Sequence, residues 1–412
     1  MRMRFVLPFL AILLLAVTST AQDLDLLIEN GHVIDAKNGI NQVMDVGIAD
    51  GLIAEVAADI PSARAETVVD ATGLYVTPGL IDLHVHVFHG TDPNAMYSNG
   101  FNSVPPDPFT FRSGVTTAVD VGSAGWRNID QFIEQTVEHS DTRILAFLNI
   151  VGSGMKGGVI EQNVNDMDAK LTALSVDQHD DVVVGVKLAH YMDHDWTPTD
   201  RAVEAGEMAG VPVMVDFGGS EPPLSIQELF FDHLRPGDIF THAYGTLGTR
   251  ESIVADGELR PFVPEAQERG IIFDVGHGGG SLHYSTGIPA TRAGFWPNTI
   301  STDLHTGSMN DAMQTMANVM SKFLALGMPL EDVITASTWK SAQVIQREEL
   351  GNLDVGAEAD VAVFQLREGD FGYWDVDDYV IPGDQRLEAE LTLRAGRVVW
   401  DRNGISKTAW PE

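Results

Sequence analysis

Eight short apolar runs dominate the middle of the chain and recur about 26 to 39 residues apart. They are Ile81–Val87, Thr116–Gly122, Arg143–Ile150, Val182–Leu188, Pro212–Phe217, Asp238–Tyr244, Ile271–Gly276 and Thr299–Leu304. Amphipathic stretches such as Thr199–Ala209 and Pro264–Glu268 lie between several of them. Apolar strands that alternate with helices predict a parallel sheet covered on both faces. Eight such units in about 270 residues fit a closed barrel, so we predict an α/β fold with a (β/α)8 TIM barrel.

An open, doubly wound sheet is the alternative architecture. Its nucleotide-binding version carries a glycine-rich phosphate turn directly after the first strand. Here the first strand is followed by Phe88–Phe109, a long loop that contains Gly, Pro and Asn but no such turn. The closed barrel is therefore favoured, and we expect this loop to cover the site at its mouth.

The segments on either side of the barrel have a different sequence pattern. Residues 22–76 contain short β-branched runs, and the pairs Asn30-Gly31 and Asp50-Gly51 predict tight hairpins between them. Strand-like runs return at Asp360–Phe364 and Leu391–Trp400. We predict that residues 22–76 and 350–412 form one small β-sandwich domain, split by a barrel of residues 77–349.

The first 21 residues have the features of a secretory signal peptide. Arg2 and Arg4 precede an apolar run from Phe5 to Val17, and Ser19 and Ala21 are the small residues of a cleavage site. The apolar run is too short to span a bilayer well. We therefore predict a signal peptide over residues 1–21, export to the periplasm or the exterior, and no stable membrane insertion after cleavage. An uncleaved anchor is the alternative.

Charge and composition exclude several classes of protein. A formal net charge of −34 disfavours nucleic acid and anionic membranes as partners. The absence of cysteine excludes disulfides, thiolate metal sites and a cysteine nucleophile. Neither property decides the oligomeric state, and a homo-oligomer is compatible with both.

The first predicted barrel strand carries two histidines, His84 and His86, two positions apart. Side chains at positions i and i+2 of a strand point to the same face. Imidazole nitrogen is a common ligand of zinc and of neighbouring transition metals. The pair therefore predicts half of a metal site, with two hydrogen-bonded core histidines as the alternative.

The other strands also end in polar side chains. They are Lys187 on the fourth strand, Asp216 on the fifth, His242 on the sixth, Asp274 and His277 on the seventh, and Asp303 on the eighth. In a TIM barrel the carboxyl ends of the strands build the active site. Each residue alone is more often a core or loop residue, but together they predict a shared metal-dependent site.

This combination resembles the amidohydrolase superfamily of metal-dependent hydrolases. The resemblance covers residues 24–402 and is carried by Pro78–His86, Lys187, His242, Ser301–His305 and Leu350–Phe364. Within the superfamily, Asp274–Gly280 and Ser301–Asn310 are most similar to the dihydroorotase-related branch of amidohydrolases and deacetylases.

The resemblance implies a role for each matching residue. His84, His86 and Asp303 would hold the more buried of two divalent metal ions, taken as Zn²⁺, and His242 the more exposed one. Lys187 would react with carbon dioxide, and its carbamate would bridge the two metals. A metal-bridging hydroxide would hydrolyse an amide, N-acyl or cyclic amide bond of a small molecule, with Asp303 as general base and then general acid.

One departure concerns the fifth strand, where the superfamily usually has a histidine and this chain has Asp216. Aspartate also ligates zinc through oxygen, so Asp216 is expected to serve as the ligand. Otherwise His190 or His194 would fill the position, or a single metal would bind.

The remaining expectations concern the substrate. His277, Gly278 and His190 are expected to contact it, because they follow the seventh and fourth strands directly. An esterase or deacetylase that acts on acetylated small molecules is the close alternative, because the same hydroxide attacks both bonds. A non-catalytic metal- or ligand-binding barrel is the alternative from another class.

Overall fold

The computed structural model describes residues 22–216, 219–246 and 250–411. The predicted signal peptide, residues 1–21, lies outside the described residues. Within the described part of the chain, no helix combines the length and the apolar character needed to cross a membrane.

The N-terminal segment forms five strands of the small domain. They are β1 Leu24–Asp35, β2 Ile40–Ala49, β3 Leu52–Ala57, β4 Ala65–Asp70 and β5 Tyr75–Pro78. Asp50 and Gly51 have positive φ and join β2 to β3 in the predicted hairpin turn. The hairpin predicted at Asn30-Gly31 is wrong, because these residues form an irregularity inside β1. A Cβ on Gly31 would lie 2.3 Å from Cγ2 of Val76, so the glycine permits close approach of β5.

Seven parallel strands of the barrel follow in chain order around one sheet. They are β6 Leu80–Val85, β7 Val115–Gly125, β8 Arg143–Asn149, β9 Val183–Ala189, β10 Val213–Asp216, β11 Ile239–Phe240 and β14 Ile272–Phe273. Strands β12 Val254–Ala255 and β13 Glu258–Leu259 form a separate small hairpin between β11 and β14. The eighth predicted run forms only two isolated parallel bridges. Thr299 pairs with Asp274 and Leu304 pairs with Val85, so this run lies between the last and the first strands and closes the barrel.

Helices cover the barrel between the strands. They are α1 Asp107–Thr110, α2 Ile129–Gln135, α3 Ala169–Gln178, α4 Thr197–Ala209, α5 Ile226–Glu228, α6 Phe262–Arg269, α7 Tyr284–Arg292, α8 Met316–Ala325, α9 Leu330–Ala336 and α10 Trp339–Val344. Helix α4 begins two residues before the predicted start, with Pro198 in its first turn, and ends at Gly210 in the left-handed conformation. Proline in the first turn and a left-handed glycine after the last turn both stabilise helix termini.

The C-terminal segment completes the small domain with β15 Val361–Trp374, β16 Val380–Arg394 and β17 Arg397–Asp401. Strand β15 pairs antiparallel with β5, which joins both segments in one eight-stranded sheet. The α/β barrel with a split β domain is thereby confirmed. Strands β15 and β16 extend well beyond the predicted runs, and Leu387 of β16 donates to Ser321 of α8. The long hairpin therefore also packs on the barrel.

Buried apolar side chains from β6 to β11 and from α10 fill one end of the barrel. The strand members are Ile81, Leu83, Val119, Val121, Leu145, Phe147, Val184, Met214 and Ile239. They come from the beginnings and middles of the strands, and α10 packs against them. The polar side chains are left to the carboxyl ends, where the candidate site lies.

Candidate metal centre

Three of the predicted ligands converge where the first and eighth barrel runs meet. Nε2 of His86 lies 3.2 Å and Nε2 of His84 lies 3.6 Å from Oδ1 of Asp303. One ligand atom from each residue lies within 4.8 Å of the others, and all three residues are buried. Two imidazole nitrogens and a carboxylate directed at one point fit a divalent cation.

Hydrogen bonds on the far side of each ring fix the orientation of the two histidines. Nδ1 of His84 lies 2.9 Å from the hydroxyl of Thr241, and Nδ1 of His86 lies 3.1 Å from the hydroxyl of Ser123. Burial lowers the pKa of His84 to about 3 and also lowers the pKa of His86. Both rings are therefore neutral near pH 7 and present Nε2 to Asp303, the form that binds a metal.

Two buried carboxylates support this arrangement from behind. Asp274 accepts hydrogen bonds from the hydroxyls of Thr241, Thr299 and Ser301, at 2.7 to 2.8 Å. Asp82 accepts from the backbone N–H of Thr302 at 3.0 Å and from its hydroxyl at 2.5 Å. Both carboxylates are thus engaged with the eighth run and hold it against its neighbours. Asp82 was missed by sequence reasoning, since an aspartate inside an apolar strand gives no sign of its partner.

Asp303 has an unusual backbone and a crowded surrounding. Its φ is +51°, and a Cβ on Gly278 would lie only 2.3 Å from Oδ2 of Asp303. Burial opposes ionisation, but the neighbouring His305, whose own pKa is raised, holds the pKa of Asp303 well below its usual value. The carboxylate is therefore charged near neutral pH, and Gly278 supplies the space that it occupies.

A second group of candidate ligands lies around Asp216. Nε2 of His242 lies 3.2 Å and Nε2 of His190 lies 3.8 Å from Oδ2 of Asp216. Burial opposes ionisation here as well, but His242, Lys187 and His190 lower the pKa of Asp216 well below its usual value. His194 instead contacts the carbonyl of Pro222 at 2.9 Å. Of the two histidines expected as substitutes for a missing ligand, the structure brings only His190 to Asp216.

Glu161 fixes the position of His190 and was missed by sequence reasoning. Oε2 of Glu161 lies 2.8 Å from Nδ1 of His190, and only 1% of Glu161 is exposed. The residue lies in the long loop after β8, far from any strand end, so its burial has no signature in the sequence. A buried carboxylate in a loop marks a constraint on the residue that it contacts.

Lys187 lies on β9, is fully buried, and has a lowered pKa because burial disfavours its charge. Its Nζ has no hydrogen-bond partner among the described residues. Gly122 has a positive φ, and a Cβ there would lie 2.7 Å from Cγ of Lys187. The absence of a side chain at Gly122 therefore leaves room for the aliphatic part of Lys187. Burial lowers the pKa of the amine, whereas the nearby carboxylates of Asp216 and Asp303 act to raise it.

His277 does not face the cluster, in contrast to the substrate contact expected from the sequence. Its Nδ1 lies 2.9 Å from the carbonyl of Gly278, and its Nε2 lies 2.7 Å from Nζ of Lys322. The chain turns at Gly276 and Gly278, both with positive φ, and this directs the ring toward α8. Gly278 itself does lie at the site, against Asp303.

Tyr97 covers the centre and was also missed. Its ring centroid lies 4.4 Å from that of His86, 5.5 Å from that of His305 and 6.4 Å from that of His190. Burial and the carboxylates of the site raise the pKa of its hydroxyl, so the hydroxyl stays neutral. Tyr97 belongs to the long loop after β6, and a single tyrosine in such a loop cannot be distinguished from its neighbours by pattern alone.

The comparisons with known proteins agree on one family. The model of the amidohydrolase family matches residues 292–397. A deacetylase from Agrobacterium fabrum is 36% identical over 379 residues, which are 87% of this chain and 90% of that protein. A deacetylase from Enterococcus faecalis is 27% identical over 388 residues, 91% of this chain and 99% of that protein.

Solved structures lead to the same result. A crystal structure of an adenine deaminase has a TM-score of 0.82 and 25% identity, and the match covers 92% of this chain and 100% of that one. A crystal structure of a dihydroorotase has a TM-score of 0.79 and 30% identity, with 91% and 99% covered. The chain therefore belongs to the amidohydrolase family and is a hydrolase that acts on carbon–nitrogen bonds other than peptide bonds.

Proposed function

We propose that this chain is an exported, metal-dependent amidohydrolase that removes an acyl group from nitrogen, or opens a cyclic amide, in a small molecule. The observation that carries the proposal is the buried Nζ of Lys187, which has no hydrogen-bond partner among the described residues and interacts electrostatically with two sets of candidate ligands. His84, His86 and Asp303 form one set, and Asp216 and His242 form the other. The two relatives named deacetylase support removal of an acyl group.

These residues fit two divalent metal ions, with Zn²⁺ as the natural choice for nitrogen and oxygen ligands. Carboxylation by carbon dioxide would convert the amine of Lys187, with loss of a proton, into a carbamate that carries a negative charge and two oxygen atoms as possible ligands. With Asp216 and Asp303 it would supply three negative charges against four positive ones. When bound, the metal ions would lower the pKa of a water molecule and polarise the scissile carbonyl.

The proposed roles of the protein residues follow from their contacts. Asp303 accepts the proton of the attacking water and passes it to the leaving nitrogen, because its ionised carboxylate is slightly exposed at the centre. His190, held by Glu161, faces the centre from the other side and is the candidate contact for the substrate. Gly278 has no side chain that would collide with the carboxylate of Asp303.

Three alternatives are separated by their products. An esterase would release acetate from an aryl acetate but not from an N-acetyl amino acid. A deaminase, which the likeness to an adenine deaminase makes the second candidate, would release ammonia from adenine. A non-catalytic binding barrel would release neither.

The first experiment combines metal content with acetate release. The mature protein is prepared with zinc and bicarbonate, analysed for bound metal, and assayed on N-acetyl amino acids. Lys187→Ala is the test variant, and Lys170→Ala, an exposed lysine of α3, is the matched control. We expect about two metal equivalents and acetate release, both lost in Lys187→Ala alone.

Other outcomes are equally informative. About one equivalent that does not depend on Lys187 would replace the two-metal proposal with a mononuclear hydrolase. No stoichiometric metal would overturn the proposed chemistry. Export is tested separately, by cell fractionation and by the mass of the mature protein, which should begin at Gln22.

A further inference from the structure

Four exposed apolar side chains lie on loops at the mouth of the barrel. Met96 follows β6, Val159 and Ile160 follow β8, and Met192 follows β9, with 41%, 86%, 37% and 57% of their surfaces exposed, respectively. We call these four residues the apolar rim. Two of these strands, β6 and β9, also carry residues of the candidate metal centre, namely His84 and Lys187. Exposed apolar side chains on neighbouring loops of a chain with net charge −34 indicate a binding surface.

Hydrogen bonds join the three loops into one wall. The backbone N–H of Met96 donates to the carbonyl of Lys156 at 3.2 Å. The thioether of Met96 lies against Gly157, where a Cβ would come within 2.4 Å of the sulfur. On the other side, Gln162 donates to the carbonyl of His190 at 2.8 Å and accepts from the N–H of Met192 at 2.9 Å. The loops that carry the four rim residues are therefore in contact with one another.

Two of these loops also carry residues of the candidate metal centre. Met96 precedes Tyr97, whose ring lies 4.4 Å from that of His86. Ile160 precedes Glu161, which holds His190 at 2.8 Å. Each of these rim residues is thus adjacent in sequence to a residue of the centre. A small molecule whose carbonyl group reaches Asp303 would have the rest of its structure against the rim.

We propose that the apolar rim binds the non-reacting part of the substrate, so that the substrates are N-acyl compounds with an apolar aliphatic or aromatic group. The inference rests on the proposed hydrolase function. Removing apolar surface from water favours binding in proportion to its area, and one methylene changes affinity by up to about fourfold. The rim would therefore select substrates by apolar size, whereas the metal centre would act on the amide that they share.

Kinetics on a homologous series tests this selection. The zinc-loaded protein is assayed with N-acetyl derivatives of glycine, alanine, norvaline and norleucine. The double variant Val159→Ser/Met192→Ser is compared with Met208→Ser, a control on α4 with 52% of its surface exposed. We expect kcat/KM to rise about two- to fourfold per methylene in the wild type and the control, and to rise less steeply in the double variant. A flat wild-type series would overturn the proposal.

Binding measurements separate this proposal from the proposed function. The affinities of the zinc-loaded protein for glycine, alanine, norvaline and norleucine, the amine products of that series, are measured by calorimetry, which requires no turnover. Affinity that rises with chain length in the absence of hydrolysis would support the rim and refute the hydrolase. Affinity independent of length would refute the rim, whatever the activity.

Sedimentation tests a second copy of the chain as the occupant of the rim. Wild type and double variant are compared at the same concentration. An oligomer that the double variant dissociates, with an unchanged dependence on chain length, would identify the rim as an interface and overturn the proposal. The same oligomeric state in both, with a reduced dependence, would support it.

Discussion

Nζ of Lys322 lies 2.7 Å from Nε2 of His277, and both side chains are fully buried. Lys322 also donates to the carbonyls of Ala312 and Trp374, at 2.7 and 2.5 Å. One amine thus joins α8, the loop that carries Gly278 and the end of β15. The contact links the small domain to the loop beside Asp303.

This amine predicts a dependence of stability on pH. Burial lowers the pKa of Lys322 from its ordinary value of 10.5 to about 7. Between these two values the unfolded chain binds more protons than the folded one, so the stability contributed by this group rises with pH. Below about pH 7 both states are protonated and this group adds no dependence. We expect the wild-type melting temperature to rise relative to that of Lys322→Met between about pH 7 and pH 9.5. Thermal unfolding of both proteins across this range measures the difference, and a constant difference would contradict the prediction.

Asp303→Asn keeps the shape of the side chain but removes the proton acceptor. We expect kcat/KM to fall by about 10² to 10⁴, the usual contribution of a general base, while the far-ultraviolet circular dichroism is unchanged. Asp311→Asn, an exposed aspartate after the same run, is the control and should keep its activity. Retained activity in Asp303→Asn would remove Asp303 from the mechanism.

Gly278→Ala tests the space beside Asp303. The new Cβ would lie 2.3 Å from Oδ2 of Asp303, at a residue with φ of +53°. We expect a loss of activity and a destabilisation of about 1 kcal/mol or more, measured by enzyme assay and by urea unfolding. Gly280→Ala in the same loop meets no atom within 4 Å and should behave as wild type. Equal effects of the two changes would show that loop flexibility, and not the contact with Asp303, is what matters.

Glu161→Gln tests the coupling between Glu161 and His190. Burial lowers the pKa of His190, but the hydrogen bond that His190 donates to Glu161 and the charge of Asp216 outweigh it and raise the pKa overall. Removing the charge of Glu161 should therefore lower the pKa of His190. A histidine titration followed by nuclear magnetic resonance, with His190→Gln to assign the signal, measures the change. An unchanged pKa would mean that Asp216 alone sets it.

The barrel could be predicted because its signals are local. Each of β6 to β10 is a buried apolar run, and such runs identify parallel strands without knowledge of their partners. The eighth run, Thr299–Leu304, was also predicted, although only its two ends pair with neighbouring strands. Local reasoning failed at Asn30-Gly31, where the close approach of Val76 from β5 explains the glycine better than a turn does.

The candidate site was predictable only where its residues end strands. His84, His86, Lys187, Asp216, His242 and Asp303 are of this kind, and the structure brings them together; their roles as ligands stay predictions. Tyr97 and Glu161 reach the centre through long loops, whose paths depend on tertiary contacts. The direction of the His277 ring depends on the backbone turns at Gly276 and Gly278 and on Lys322, which lies 45 residues farther along the chain.

The pairing of β5 with β15 also has a consequence for the time course of folding. The hydroxyl of Thr77 and the carbonyl of Ala362 lie in contact although they are 285 residues apart in the chain. Strand β5 cannot pair with β15 until almost the whole polypeptide has been synthesised. Contacts between such distant residues also form slowly. The two segments of the small domain thus become one sheet only after all the barrel strands between them have been synthesised.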